Sequence, residues 1–242
     1  MEVDLVRAKS ADGRDAEAKA PVSRVTDLTE RLRDAITDGR IVPGYRLVQD
    51  ELCEAFGVGR GTLREALTRL EAQGWISSTL HRGAQVRVLS RQEIGETLDI
   101  REALEMVAAG LAAERLTEEK QAALVEIMAA LSLAEKNADR ESFLVHNNLL
   151  HEEIIAASEN ERLREGPELK LIKLIQVQVV DYGGTSWMAQ AQSEHVAVVD
   201  GILSGKRGAA ERAMRSHIRR VNELMRSLPN EAFLPINKIR KS

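Results

Sequence analysis

Residues 41–87 constrain the fold more than any other part of the chain. Helical spacing of apolar residues predicts a short helix from Gln49 to Phe56 and a second from Arg60 to Gln73. The linking segment contains Gly57 and Gly59, and glycine disfavours helix continuation, so a tight turn is expected there. The pattern predicts two consecutive helices joined by a glycine-rich turn.

The residues on either side of this helix pair complete a larger motif. Apolar spacing predicts a preceding helix over residues 23–38, which Gly39 ends. Trp75-Ile76 and Val86-Val88 predict two short strands around a turn at Arg82-Gly83. Three helices followed by a two-stranded wing are typical of a winged helix-turn-helix, to which we assign residues 22–89.

The remainder of the chain shows only helical patterns, so we predict a mostly α protein with an antiparallel bundle of about six helices at residues 91–228. Gly166-Pro167 is expected to break or restart the fourth helix. Residues 1–21 are charged and aperiodic and predict a disordered arm, and 229–242 predict a loose tail. The predicted helical segments are 91–115, 118–138, 140–158, 162–181, 187–204 and 207–227.

Composition excludes several classes of protein. Aromatic residues make up 3% of the 242 residues, which disfavours β-sandwiches and barrels. Cys53 is the single cysteine, so a disulfide framework is excluded and a reducing, cytoplasmic location is expected. The N-terminus has no long apolar run, which predicts neither a signal peptide nor a membrane span. The net charge is −4, yet residues 59–90 hold five arginines against two glutamates.

The second helix of the pair has the residues expected of a helix that reads DNA. Arg60, Thr62 and Arg64 lie in its first turns, where such a helix meets base edges. Arginine bonds guanine O6 and N7 together, and threonine offers a hydroxyl and a methyl group. Arg82 and Gly83 at the wing tip suit a minor groove. The alternative is that these arginines are ordinary surface charges, against which the helix spacing and the adjacent wing both count.

Three histidines recur on the apolar faces of separate predicted helices. His151, His195 and His217 each follow an apolar helical stripe, and Asn147 precedes His151 by one turn on the same face. Neutral imidazoles are good ligands for zinc, nickel and related divalent ions. The residues alone leave two alternatives open, a shared metal site and three separate core histidines. His146 faces about 100° away and His81 lies near the wing, so both are left out.

Arg101 lies on the inward stripe of its predicted helix, and a buried arginine requires an anion. Glu105, four residues later, is one candidate partner. The other is the carboxylate of a small effector. Tyr182 and Trp187 are candidates to line such a pocket, or to serve as packing residues.

The N-terminal region resembles the winged helix-turn-helix of the GntR regulators over about 65 residues. The chain departs from that pattern at Gly59 and Gly61, where hydroxyl-bearing residues are usual, which removes two potential DNA contacts. The matching positions are Ile36, Gly39, Pro43-Gly44, Arg46-Leu47, Glu51-Leu52, Phe56-Gly57-Val58, Arg60, Leu63-Arg64-Glu65-Ala66-Leu67, Leu70, Gly74-Trp75 and Arg82-Gly83-Ala84.

The helical remainder resembles the effector domain of the FadR branch, the FCD domain, and six helices suit its VanR-like subgroup. This resemblance implies a divalent ion held by one acid and three histidines, and it implies small organic acids as effectors, with Arg101 as an effector ligand. Asn147 stands where the acid is usual. The matching positions are Ile100-Arg101-Glu102-Ala103-Leu104-Glu105, His151, Ser158, Asn160, Glu194-His195, Gly205, Met214-Arg215 and His217-Ile218.

The sequence therefore predicts a homodimeric transcriptional regulator that binds a double-stranded DNA operator and responds to a small carboxylate effector. Its predicted metal ligands are Asn147, His151, His195 and His217, with zinc as first candidate and nickel or manganese as alternatives. The rival hypothesis is a metal-dependent hydrolase that activates water at the three-histidine site. The chain lacks an HExxH helix and an evident general base, so we expect no enzyme.

Overall fold

The computed structural model describes residues 23–79, 83–164, 167–179, 182 and 184–235. The predicted N-terminal arm, Arg82, His81 and residues 236–242 of the tail lie outside this description. Residue contacts divide the chain into two units. The first comprises the described residues up to 88 with 173–178 and 233–235, and the second comprises 89–172 and 179–232.

The first unit begins with three helices that share one apolar core. They are α1 (Arg24–Thr37), α2 (Gln49–Phe56) and α3 (Arg60–Ala72). The Ser23 hydroxyl accepts the Thr26 N–H and so caps α1. Gly57 ends α2 with φ +65°, a conformation that glycine adopts without strain. The buried core side chains include Leu28, Leu32, Ile36, Leu52, Leu63, Leu70 and Trp75.

The wing is an antiparallel pair, β1 (Ile76–Thr79) and β2 (Gly83–Val86). Ile76 pairs with Val86 and Thr79 with Gly83. The strands run nearer the wing tip than predicted, because backbone pairing continues through exposed polar residues that the apolar pattern could not mark. Arg46 makes an isolated bridge to Gln85 and extends the wing by one residue.

The second unit is all-helical, as predicted, and the mostly α fold class is confirmed. Its helices are α4 (Arg91–Arg115), α5 (Glu118–Lys136), α6 (Arg140–Ala157), α7 (Glu161–Arg164), α8 (Pro167–Val179), α9 (Met188–Leu203) and α10 (Arg207–Ser227). Residues 173–178 of α8 belong to the first unit. The α4 and α10 bounds match those predicted, and the predicted fourth segment is divided into α7 and α8.

Side-chain caps and close helix contacts fix the frame of this unit. Ser90 and Glu93 form a capping box at the start of α4. Helix α4 packs on α6 and α10, α5 on α6, and α9 on α10. Gly201 of α9 lies against the backbone of Ala210 in α10. The buried core includes Leu124, Leu131, Phe143, Leu150, Ile154, Val198, Ile202, Met214 and Ile218.

The first part of the predicted loose tail has regular structure. Asn230–Phe233 form a 3-10 helix, and Ala232 is buried. The Arg91 guanidinium donates to the Leu228 carbonyl at 2.7 Å and to the Asn230 side chain at 3.0 Å. These bonds hold the segment after α10 to the start of α4. No described helix is long and apolar enough to cross a bilayer.

Candidate nucleic-acid interface and candidate metal centre

The N-terminal end of α3 presents its predicted DNA-reading residues on the surface. Arg60 and Arg64 are exposed, and Thr62 is half-buried. The Arg60 guanidinium donates to the Asp50 carboxylate at 2.9 Å. Arg64 has no ion-pair partner within the part of the chain that the structure describes. A free guanidinium one helical turn into α3 is chemically suited to a guanine edge or a phosphate.

Gly59 and Gly61 leave open space at the start of α3. A Cβ atom built on either residue meets no heavy atom within 4 Å. Gly59 caps α3 without a side-chain hydrogen bond, so the first amide groups of the helix lack a side-chain acceptor. Free amides at a helix start attract a phosphate oxygen, which gives this surface a phosphate-binding capacity.

The backbone of the wing tip adopts a conformation that favours glycine. Gly83 has φ +77°, which disfavours any residue with a side chain. A Cβ built there would lie 4.0 Å from Arg46 Nε, so this guanidinium lies beside the tip. Arg46 was not predicted as a site residue, because the bridge to Gln85 that brings it to the wing leaves no sequence signal.

Three buried histidines converge in the second unit. His151 of α6, His195 of α9 and His217 of α10 place one ring nitrogen each within 4.8 Å of the others. Their ring centroids lie 4.7–5.8 Å apart. The three side chains were predicted to share a site, and the helix packing brings them together. Their exposed fractions are between 1% and 6%.

Two glutamates contact histidines of this cluster, each from a helix other than that of its histidine. Glu105 of α4 lies 2.5 Å from Nδ1 of His151, and Glu194 of α9 lies 2.9 Å from Nδ1 of His217. From the sequence, Glu105 was expected only as a partner of Arg101, and neither histidine contact was predicted. Glu194 is 23 residues from His217, so spacing along one helix could not reveal that pair.

The donor set fits a divalent cation. Within the described residues, Nε2 of His151 and both ring nitrogens of His195 are buried without a hydrogen-bond partner. Burying unpaired polar atoms is costly, and native structures satisfy nearly all of them. An imidazole nitrogen without a proton donates its lone pair to ions such as zinc, nickel and copper. His151 and His195 can each offer one such nitrogen to an ion that the three converging histidines share.

Burial keeps His195 and His217 in a metal-binding form. Burial lowers the pKa of His217 to about 4, although its bond with Glu194 acts in the opposite direction. Burial, followed by the charges of neighbouring histidines, lowers the pKa of His195 well below its usual range. Both imidazoles are therefore neutral near pH 7, as metal ligands must be.

The glutamates beside the cluster remain anionic. Burial alone would raise the pKa of Glu105, but the charge of Arg101 and the hydrogen bonds from His151 and Arg101 outweigh it and hold the pKa far below its usual range. For Glu194, burial likewise acts upward, and hydrogen bonds from His217 and Gln190, together with the charge of Arg220, lower the pKa to about 2. Each carboxylate thus remains a permanent acceptor at neutral pH.

Asn147 occupies α6 between two residues that contact the cluster. Phe143, one turn earlier, stacks on His195 with centroids 6.1 Å apart. His151, one turn later, contacts both His195 and His217. Residues four apart share a helix face, so Asn147 belongs to the face that meets His195. Its side chain is half-buried.

Arg101 is buried in an ion pair with Glu105, with Nε 2.5 Å from the carboxylate. Of the two partners considered from the sequence, the structure contains this one. His146 lies on α6 but bonds the Ser142 carbonyl at 2.8 Å, away from the cluster. The Trp187 ring packs edge-on against Phe143, whereas Tyr182 is exposed.

Comparison with known families agrees with both halves of this description. The pattern of the bacterial regulatory proteins of the gntR family matches residues 25–86, and that of the FCD domain matches residues 96–220. The chain belongs to the GntR family of bacterial regulatory proteins and carries an FCD domain. It is therefore a DNA-binding transcriptional regulator, as the resemblance of the sequence implied.

Individual relatives are distant but extend over most of the chain. The "Probable D-xylose utilization operon transcriptional repressor" of Paenarthrobacter nicotinovorans is 26% identical over 197 residues, covering 80% of this chain and 86% of that protein. The regulator McbR of Escherichia coli K12 is 30% identical over 128 residues, covering 53% and 58%.

Several solved structures share the fold, and two of them illustrate the likeness. E. coli McbR/YncC superposes with a TM-score of 0.74 at 21% identity, covering 85% of this chain and 98% of that one. A GntR regulator from Rhodococcus sp. RHA1 gives 0.72 at 22% identity, covering 84% and 98%. At such identities the likeness concerns the fold alone.

Proposed function

We propose that this regulator binds its operator as a homodimer and releases or engages it in response to a small organic acid. The acid binds beside a divalent ion held by His151, His195 and His217, with the Asn147 amide oxygen as fourth ligand. Zinc is the first candidate, and nickel and manganese are alternatives. The observation that carries the proposal is the convergence of three buried imidazoles from three helices, with unpaired ring nitrogens on His151 and His195.

Charge balance around the cluster favours an anionic effector. Arg101 pairs with Glu105, and Arg220 pairs with Glu194, so the ionic groups beside the histidines already cancel. Asn147 is neutral, so a divalent ion bound here would add two positive charges to a buried site. A buried excess charge favours a counter-ion, and a carboxylate supplies one at an open coordination position.

Arg101 has only part of its guanidinium available to an effector. Its Nε is engaged by Glu105, so a contact with the effector carboxylate would come from the terminal guanidinium nitrogens. Its charge contributes to lowering the pKa of both His195 and His217, which places it near the cluster. We propose Arg101 as the effector-binding side chain on this ground.

On the DNA side, we propose that Arg60, Thr62 and Arg64 read base edges or phosphates in the major groove. Arg82 and Gly83 would follow the adjacent minor groove. Two copies would read the two halves of an approximately palindromic operator. The effector would act by differing in affinity for the DNA-competent and DNA-incompetent states, with about 1.4 kcal/mol of coupling for each tenfold change.

A hydrolytic role for the cluster receives no support from its surroundings. The two carboxylates nearest the histidines, Glu105 and Glu194, are each bonded to an imidazole and an arginine. Neither is left free to act as a general base toward water. We therefore propose regulation rather than catalysis.

The test compares His195→Ala with the matched control His146→Ala, which removes a histidine from α6 outside the cluster. Metal content would be measured after dialysis against zinc, nickel and manganese, and operator affinity by fluorescence anisotropy with a panel of small carboxylates. We expect His195→Ala to lose metal and the carboxylate response but keep apo DNA binding, with His146→Ala unchanged. Full metal occupancy in His195→Ala would overturn the ligand assignment.

A further inference from the structure

Two triads, each made of an arginine, a glutamate and a histidine, converge on the histidine cluster. In the first, Arg101 Nε lies 2.5 Å from Glu105 Oε1, and His151 Nδ1 lies 2.5 Å from Glu105 Oε2. Arginine and histidine thus engage different oxygens of one carboxylate. The first triad is therefore Arg101–Glu105–His151.

The second triad repeats this arrangement with residues of α9 and α10. Arg220 forms an ion pair with Glu194 Oε1, and His217 Nδ1 lies 2.9 Å from Glu194 Oε2. The order is again arginine, glutamate, histidine, with the two partners on separate oxygens. Gln190 Nε2 also donates to Glu194 Oε1, at 2.9 Å.

We propose that Glu105 and Glu194 are positioning residues, each of which keeps the proton of its histidine on Nδ1 and directs the Nε2 lone pair into the shared site. This inference rests on the proposed function, because the lone pairs have a purpose only if the site takes a cation. The glutamates themselves do not touch that cation.

The chemistry of neutral imidazole supports this role. One ring nitrogen has a proton and the other has a lone pair, and a hydrogen bond at one nitrogen decides which is which. A carboxylate only accepts, so an imidazole nitrogen that faces it must donate. Metal-binding histidines commonly place Nδ1–H on a carboxylate, which also raises the basicity of the ligating nitrogen.

The arginines hold each carboxylate in place. A carboxylate with one oxygen bound by a guanidinium has less freedom to rotate away from its histidine. The glutamates lie on α4 and α9, and their histidines lie on α6 and α10. Each triad therefore ties a histidine to a neighbouring helix before any ligand binds. This reduces the conformational entropy that is lost when the ligand binds.

His195 provides the contrast within the same cluster. Neither of its ring nitrogens has a partner among the described residues, and its ring is held by stacking on Phe143. Its tautomer is therefore unset. The positioning effect should appear at His151 and His217 and be absent at His195.

The experiment uses the full chain with Glu194→Gln, an isosteric change whose amide can donate as well as accept. The matched control is Glu102→Gln, because Glu102 is a carboxylate of similar exposure that pairs with Arg215 and Arg219 but contacts no histidine of the described residues. Zinc affinity is measured by chelator competition. We expect Glu194→Gln to lose about 10–100-fold in affinity and Glu102→Gln to match the wild type.

A second readout separates positioning from simple destabilisation. Two-dimensional ¹⁵N NMR of the imidazoles in the metal-free protein reports which ring nitrogen is protonated. We expect Nδ1–H at His151 and His217 in the wild type, a changed His217 spectrum in Glu194→Gln, and mixed tautomers at His195. Nε2–H at His151 and His217 in the wild type would overturn the inference, as would equal zinc affinity in wild type and Glu194→Gln.

The first triad requires a different variant, because Glu105→Gln leaves the buried Arg101 without a counter-ion. The double change Arg101→Met with Glu105→Gln removes both charges together, and it should alter the His151 spectrum while leaving that of His217 intact. An unaltered His151 spectrum would overturn the role of Glu105. A wild-type protein that binds no metal but shows both Nδ1–H tautomers would refute the proposed metal site, and it would leave only the tautomer-setting role of the glutamates standing.

Discussion

Arg60, the first residue of α3, is joined to Asp50 of α2 by a 2.9 Å contact between guanidinium and carboxylate. Both side chains are more than 70% exposed, so the pair contributes little to stability, about 0–1 kcal/mol. The carboxylate nevertheless places a negative charge where a phosphate or base edge would approach. Operator binding must displace or tolerate this charge.

Asp50→Asn should therefore strengthen operator binding by about 3–10-fold at low salt, because it frees Arg60 and removes a repulsive charge. Anisotropy titrations at 50 and 200 mM salt would measure the change, and the advantage should shrink as salt increases. Weaker binding by the variant would indicate that the pair itself positions Arg60 for recognition.

Arg64→Ala should cost about 1–3 kcal/mol of operator affinity and relax the preference at one base pair. Its guanidinium is exposed and unpaired in the described part of the chain, so it is free to bond a base. Arg40→Ala is the control, because Arg40 is an exposed arginine outside α3 that pairs with Asp38. Equal affinities for Arg64→Ala and wild type would remove Arg64 from the reading set.

Asn147→Asp should increase divalent-metal affinity by roughly tenfold, since an anionic oxygen attracts the cation more than an amide oxygen does. It should also lower the affinity for a carboxylate effector, because it reduces the excess positive charge. Asn148→Asp introduces the same charge at the next position, about 100° around the helix. Isothermal titration with zinc would compare the two, and an identical gain in both would exclude Asn147 from the ligand set.

The metal-free protein should lose stability as pH falls from 6.5 to about 4. An unfolded histidine has a pKa of about 6.5, whereas burial lowers that of His217 to about 4 in the folded state. Between these values the unfolded chain binds more protons, so the free energy of unfolding falls by about 1.4 kcal/mol per pH unit. His195 acts in the same direction.

Urea unfolding in the presence of a chelator would measure this loss at pH 7 and pH 5. His217→Leu, which removes the titrating group, is the comparison and should show a smaller decrease over the same interval. A decrease as large as that of the wild type would mean that other groups dominate the acid response.

Gly201→Ala should destabilise the second unit by about 1–3 kcal/mol. The added Cβ would lie 2.8 Å from Ala210 Cα and 2.9 Å from Ala210 N, so α9 and α10 would have to separate. These helices hold His195 and His217, so metal affinity should fall as well. Gly208→Ala is the control, because its nearest neighbour is the flexible Arg212 side chain at 3.3 Å. Thermal melts of both variants would separate a packing effect from loss of glycine alone.

Local chemistry explains why the elements of the fold could be predicted. The α4 and α10 bounds match the predicted ones because capping residues, glycines and apolar periodicity all act within a few residues of the chain. The wing strands were displaced by a few residues, because the polar strand residues Ser77 and Gln85 have no apolar pattern. Their position depends on pairing between strands.

The candidate metal site divides in the same way. The sequence by itself determined that His151, His195 and His217 would each lie on the buried face of a helix, because helical periodicity fixes which side chains point inward. The packing of α4, α6, α9 and α10 decided which groups surround them. Glu105 and Glu194 reach their histidines across helix contacts, and burial there lowers the pKa of His195 and His217. Such contacts depend on how helices pack at long range, and that information resides in no single stretch of the sequence.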